Sequence, residues 1–131
     1  MFLVSIDTLR SDHLSVYGAK VRTPAFDAFA TDAVLFERAY SHSPLTLPSH
    51  ATILSGLLPA EHGVRDNTGY RVDAKTPLLQ SILGAHGYTT GAAVSAYVLR
   101  RATGIDRGFA TYDDDVERDS SGKSLGAVQR R

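Results

Sequence analysis

The sequence predicts an α/β fold: a mostly parallel sheet with helices on both faces, forming a partial α/β/α sandwich. Three observations carry that expectation. Apolar runs of strand length recur at residues 2–6, 34–40 and 89–96. Two helix-start signals, Thr23-Pro24 and Thr76-Pro77, stand between them, each followed by apolar residues at helical spacing. A further short helix, Pro48 to about Ser55, is closed by Gly56. Strands that alternate with helices pair in parallel and are covered on both sides.

Each element has its own reason. Phe2-Leu3-Val4-Ser5-Ile6 reads as a buried strand ended by Asp7-Thr8. Leu9 to Lys20 is polar, contains Gly18, and reads as a loop with a helical turn. Thr23 caps a helix with Pro24 at its first position, and Ala25, Phe26, Phe29, Ala30 and Ala33 form its apolar stripe. Val34 to Tyr40 reads as a second strand and Ser41 to Leu47 as a loop. Leu57 to Tyr70, rich in Gly, Asn and His, reads as a loop after the Pro48 helix. Thr76-Pro77 opens a helix whose stripe is Leu78, Leu79, Ile82 and Leu83, up to Gly87. Thr89 to Ala96 reads as a small-residue strand and Phe109 to Tyr112 as another. Asp113 to Asp115, Glu117 and Asp119 read as a solvated acidic segment, and a charged helix begins near Leu125.

Composition narrows the chemistry. The 131 residues suffice for one domain with a modest core. Lys and Arg number 14 and Asp and Glu number 14, so there is no basic excess of the kind a nucleic-acid binder shows. The chain has no cysteine, which excludes disulfides, thiolate zinc sites and a cysteine nucleophile. The apolar start is too short for a signal or membrane segment and lacks a basic leader. The compartment stays undetermined: the cytoplasm if Met1 is the natural start, the periplasm if an upstream piece is missing.

Two positions combine into a site. Open α/β sheets place ligands beyond the carboxyl ends of their strands, where Asp7 is expected. Asp7 either caps a turn or offers a hard oxygen ligand to a divalent cation. Thr46 precedes the Pro48 helix, either as a simple cap or as a nucleophile. A threonine hydroxyl attacks only when a metal or base activates it, and the helix N-terminus offers N–H groups to an oxyanion. His50 lies one helical turn from Thr46, so it either approaches the reacting oxygens or stays on the helix surface. His62 before Gly63 reads as structural, His86 suits a helix C-terminus, and His13 and His42 stay unassigned. No histidine pair shows zinc-ligand spacing.

These residues carry a resemblance. Val4-Ser5-Ile6-Asp7-Thr8-Leu9-Arg10-Ser11-Asp12-His13, Tyr17-Gly18, Thr23-Pro24, Phe36-Glu37-Arg38-Ala39-Tyr40, Thr46 to Gly56, Leu58-Pro59, His62-Gly63-Val64, Gly87-Tyr88-Thr89-Thr90 and Gly108-Phe109 follow one another as in the N-terminal part of a sulfatase. The chain thus resembles the sulfatase family of the alkaline phosphatase superfamily, from residue 2 to about 115. The resemblance implies an alkaline-phosphatase-like fold cut short at its C-terminus, with residues 1–131 an incomplete part of the catalytic domain. It implies a hydrolase of sulfuric or phosphoric esters with Thr46 as nucleophile. Asp7, Thr8 and Thr46 would bind one divalent cation, Ca2+, Mg2+ or Mn2+. His50 is a catalytic candidate, and Arg10, Ser49 and Asn67 are substrate-binding candidates, with N–H groups near Ser49 stabilising developing charge. A surface salt bridge for Arg10 and a turn for Asn67 are the competing readings.

The departures matter equally. Thr8 stands where many sulfatases have a second metal aspartate, and His50 replaces the arginine of the modification motif. Thr46 stands in place of the Cys or Ser oxidised to formylglycine, so no formylglycine is expected. Ala96-Tyr97-Val98-Leu99 replaces a stretch whose lysine and histidine contact substrate. Two alternatives follow: a phosphodiesterase, phosphonate monoester hydrolase or phosphotransferase of the same superfamily, or an inactive piece with a binding or structural role. The expected partner is a small anionic ester, with no nucleic acid, no membrane segment and the rest of the catalytic domain missing.

Overall fold

The structure, a computed structural model, describes residues 1–115. The expectations for Glu117, Asp119 and the helix from Leu125 lie outside the described residues. The chain divides into two compact units, Met1–Tyr40 and Ser41 onward.

The first unit is built on hydroxyls rather than on a sheet. Residues 2–6 are extended but unpaired, and Phe2 and Val4 are 98% and 79% exposed. Residues 34–40 also form no strand, and Val34 and Phe36 are exposed. Both strand expectations are therefore corrected. A strand is made by its neighbour's hydrogen bonds, and among the described residues neither run has a strand beside it. The Phe36 carbonyl instead accepts the Tyr17 hydroxyl at 2.9 Å. The loop 9–20 holds two 3-10 turns, Ser11–His13 and Ser15–Tyr17. Helix α1, Pro24–Thr31, starts at the Thr-Pro signal with Pro at its first turn. Its Thr23 hydroxyl does not cap it. That oxygen accepts the Ser15 N–H at 3.0 Å, while the Ser15 hydroxyl accepts the Thr23 N–H at 2.8 Å and donates to Asp27 at 2.7 Å.

The second unit carries every buried residue among those described. It contains α2 (Thr46–Ser55), α3 (Pro59–His62), α4 (Leu79–Ala85), β1 (Gly91–Ala93) and β2 (Thr111–Asp113). The strands pair in parallel, with Gly91 opposite Thr111, Ala92 opposite Tyr112 and Ala93 opposite Asp113. The parallel sheet expected from alternation is present in this small form. Its crossover runs through the 3-10 turns Tyr97–Leu99 and Arg101–Thr103. The core is Leu47, Ala51, Val64, Val72, Leu78, Leu99, Ile105 and Tyr112. Burial pushes the Tyr112 phenol above its ordinary range, and its O–H donates to the Leu99 carbonyl at 2.6 Å.

Two boundaries and one buried face differ from expectation. The loop 57–70 contains α3, which Pro59 starts and the Glu61 carboxylate closes by accepting the Leu58 N–H at 2.7 Å. Helix α4 begins at Leu79, two residues past Pro77. Its inward side is not the whole apolar stripe, since Ile82 is 50% exposed while Gln80 is 2% exposed. Gln80 is buried because its amide donates to the Ile105 and Arg107 carbonyls, both at 3.0 Å.

Candidate functional site

The candidate site in the second unit is the N-terminus of α2. The helix starts at Thr46, two residues before the proline expected to open it. The first four N–H groups of a helix have no partner in the ladder. Ser49 N–H is the first ladder donor, to the Leu45 carbonyl at 3.0 Å. Leu45 is therefore the cap residue, and Pro48 occupies a position where its missing N–H breaks no bond. Thr46 is the first residue of the helix proper rather than a residue ahead of it. Gly56 ends α2 in the left-handed conformation (φ 70°), as expected of a C-terminal glycine.

The remaining N-terminal donors are shared among side chains. Leu45 N–H donates to the Ser43 hydroxyl at 3.2 Å. Leu47 N–H donates to the Asn67 amide oxygen at 2.8 Å, from a residue twenty positions downstream. The N–H groups expected near Ser49 to hold an oxyanion are thus committed elsewhere: Ser49 to the ladder, Leu47 to Asn67, and Pro48 has none. The Ser49 hydroxyl shares a hydrogen bond of 2.9 Å with the Ser41 hydroxyl, which donates to the Ser43 carbonyl at 2.6 Å.

His50 turns back along the helix. Its Nδ1 lies 2.8 Å from the Thr46 carbonyl oxygen. A carbonyl can only accept, so Nδ1 is the donor of that hydrogen bond. His62, 4% exposed, is structural, as its position before Gly63 suggests. Its Nδ1 accepts the Val64 N–H at 3.1 Å, and Nε2, 3.0 Å from the Thr52 hydroxyl, therefore donates to it. Burial pushes the His62 imidazole below its ordinary value.

Asn67 sits in the turn Asp66-Asn67-Thr68-Gly69. The Asp66 carboxylate accepts the Asn67 N–H at 2.6 Å, and Gly69 has φ 75°. The sequence signalled the turn through its Asp, Asn and Gly. The bond to Leu47 had no such signal, because a cap twenty residues away depends on how the loop packs.

In the first unit, Asp7 and Thr8 form the tip of a turn closed by Leu9 N–H donating to the Ile6 carbonyl at 3.4 Å. Thr8 has φ 58°, left-handed backbone that a β-branched residue rarely adopts. Arg10 is 2.5 Å from Asp12 at one nitrogen and 3.0 Å at the other, a surface ion pair that occupies its guanidinium. Among the described residues, no three His, Asp or Glu side chains converge to hold a metal. Ca2+ takes about six to eight oxygens and Mg2+ about six. One carboxylate, Asp7, with the Thr8 and Thr46 hydroxyls falls short of that set, so these residues do not by themselves fit a divalent cation.

Comparison with known proteins gives one answer. Residues 1–123 match the Sulfatase family. The N-acetylgalactosamine-6-sulfatase of Homo sapiens is 36% identical over 85 residues, covering 64% of this chain and 16% of that protein. The arylsulfatase of Clostridium perfringens is 39% identical over 62 residues, 47% of this chain and 13% of that protein. A solved 2-O GAG sulfatase superposes with a TM-score of 0.70 at 27% identity, over 87% of this chain and 25% of its own. A second solved protein, in complex with its substrate D-glucosamine-2-N,6-O-disulfate, superposes at 0.67 with 26% identity, over 78% and 20%. The chain therefore spans 16% of the N-acetylgalactosamine-6-sulfatase it matches. The solved neighbours show that the fold is the alkaline-phosphatase-like α/β fold.

Proposed function

This chain belongs to the sulfatase family, and from that premise we propose that it carries the nucleophile segment of a hydrolase of sulfuric esters, with Thr46 as the attacking residue. The observation that carries the reading is the first turn of α2. It starts at Thr46 and is anchored by Asn67, Ser43 and the ladder bond of Ser49. The branched Cβ of Thr46 leaves its hydroxyl few rotamers. In the proposed reaction Thr46 Oγ1 bonds to the ester's central atom, and the bond to the alcohol or aryl oxygen breaks. The alcohol leaves with a proton. Water then cleaves the covalent threonine ester, which returns the hydroxyl and releases the inorganic anion.

His50 supports this reading as a general base. His50 follows Thr46 by one helical turn, and the bond from Nδ1 to the Thr46 carbonyl fixes the ring. The Ser49 hydroxyl is the polar group at the same helix end proposed to meet the substrate. Asp7 offers one carboxylate toward a divalent cation, and the described residues do not complete that site. The relatives named above and the disulfated glucosamine substrate of one solved neighbour favour a sulfated sugar as the substrate class.

A second reading rests on Thr46 itself. A threonine cannot become the aldehyde that oxidation of a Cys or Ser yields, and a hydroxyl attacks phosphorus as well as sulfur. A phosphodiester or phosphonate monoester is the corresponding substrate. The test is turnover by the full-length polypeptide of aryl sulfate, phosphodiester and phosphonate monoester substrates. Thr46→Ala is expected to abolish turnover of whichever ester is cleaved, and Thr46→Ser to retain part of it. Full turnover by Thr46→Ala would show that another group attacks.

A further inference from the structure

We propose that Asn67 is a positioning residue for Thr46, acting through the backbone of α2 rather than through the substrate. This inference rests on the reading of Thr46 as nucleophile. Leu47 N–H is the amide next to Thr46, and it belongs to the helix turn whose donors the ladder leaves unpaired. Asn67 Oδ1 takes it at 2.8 Å. Leu47 is fully buried in the core, so the residue after Thr46 is held by its side chain on one side and by Asn67 on the other. Pro48, also buried, has a fixed φ and adds stiffness to the same turn. The free rotation left to the Thr46 backbone is small, and its hydroxyl direction follows from that backbone.

The anchor is itself rigid. Asp66 accepts the Asn67 and Thr68 N–H groups at 2.6 and 3.4 Å, which sets the backbone of the turn that presents the amide. Arg65 and Asp66 flank Asn67 on the exposed side, while Val64 anchors the segment in the core. Removing the Asn67 oxygen leaves the Leu47 amide without its acceptor and lets the first turn fray, with Thr46 at its end. Misplacing a reacting group by about 1 Å costs on the order of 100-fold in rate.

The test uses the full-length polypeptide and three variants. Asn67→Ala removes the acceptor, Asn67→Asp keeps it while removing the NH2 group, and Asn67→Gln shifts it by one methylene. Hydrogen–deuterium exchange of peptides covering residues 44–52 reads the Leu47 amide directly. Asn67→Ala is expected to speed exchange there and to lower kcat by roughly 10- to 100-fold with KM little changed. Asn67→Asp is expected to restore protection and most of kcat, while its negative charge raises KM for an anionic ester. Should Asn67→Ala not fold, Asn67→Gln is expected to show intermediate exchange and reduced kcat. Unchanged exchange, or a kcat equal to that of the parent, in the Ala or Gln variant overturns the proposal. Thr46→Ala separates the two claims. If it abolishes turnover while the Asn67 variants keep the parent kcat, positioning alone is wrong. If Thr46→Ala turns over normally, the nucleophile reading fails first.

Discussion

His62 ties α2 to the segment after α3 by using both ring nitrogens, one accepting from Val64 and one donating to Thr52. Only the neutral ring can do both. Burial pushes its pKa below the ordinary value of about 6.5. The unfolded chain then binds the proton more readily than the native one. Stability is fully present above pH about 6.5 and is lost as pH falls through the lower native value. Urea unfolding at a series of pH values is expected to show this acid-side loss, and His62→Gln to flatten it. A midpoint that rises toward pH 5 in the parent contradicts the assignment. Thr8 is the other residue with a cost of its own, through its left-handed backbone. Thr8→Gly is expected to raise stability by roughly 0.5–1 kcal/mol, since glycine adopts φ 58° without a Cβ clash. A loss of stability in that variant shows that the threonine side chain makes a compensating contact.

At the scale of elements, α4 is held by close approach as much as by apolar burial. Gly108 has φ 91°, and a Cβ there would lie 2.1 Å from Ser81 Oγ and 2.9 Å from Ser81 Cα and N. Gly84, inside α4, faces open space. The two glycines respond to alanine in opposite directions. Gly108→Ala is expected to destabilise by roughly 3 kcal/mol or more, from backbone strain and overlap with α4 together. Gly84→Ala is expected to stabilise by about 0.5–1 kcal/mol through helix propensity. Thermal unfolding of both variants checks the pair, and similar shifts in both mean that Gly108 does not pack on Ser81. The same approach explains Gln80. The helix lies so near the 105–108 backbone that an amide donor serves two carbonyls, Ile105 and Arg107, that an aliphatic side chain could not.

At the scale of the molecule, the buried core belongs to the unit from Ser41 onward, and the unit Met1–Tyr40 exposes much of its apolar surface. Phe2, Val34 and Tyr40 are each more than 80% exposed. The sites follow the same division. Asp7 belongs to one unit and Thr46 to the other, and the described residues include no cluster of three metal-ligating side chains. Calorimetric titration of the 131-residue chain with Ca2+, Mg2+ or Mn2+ is expected to show no binding tighter than about 0.1 mM, because affinity follows the number of charged oxygen ligands. A dissociation constant below about 10 μM, lost in Asp7→Ala, would show that this chain assembles a cation site unaided.

The sequence by itself determined the family, the parallel pairing, the Thr-Pro start of α1, the glycine end of α2 and the structural role of His62. The helix start, the glycine end and the His62 turn are written in a few adjacent residues, because caps and turns act over one or two turns of chain, while the family and the parallel pairing are read from motifs and alternation along residues 2 to about 115. Tertiary structure decided what depends on a distant partner. Residues 2–6 and 34–40 have the composition of strands and no neighbouring strand among the described residues. The use of Leu47 N–H by Asn67 and the burial of Gln80 come from contacts twenty or more residues apart, whereas the first residue of α2 is set by the ladder bond from Ser49 to Leu45. Local chemistry states what a segment can form. Which hydrogen bonds it makes is settled by what packs beside it, since a buried donor without an acceptor is costly, and here the acceptors of the Leu47 and Gln80 donors lie far along the chain.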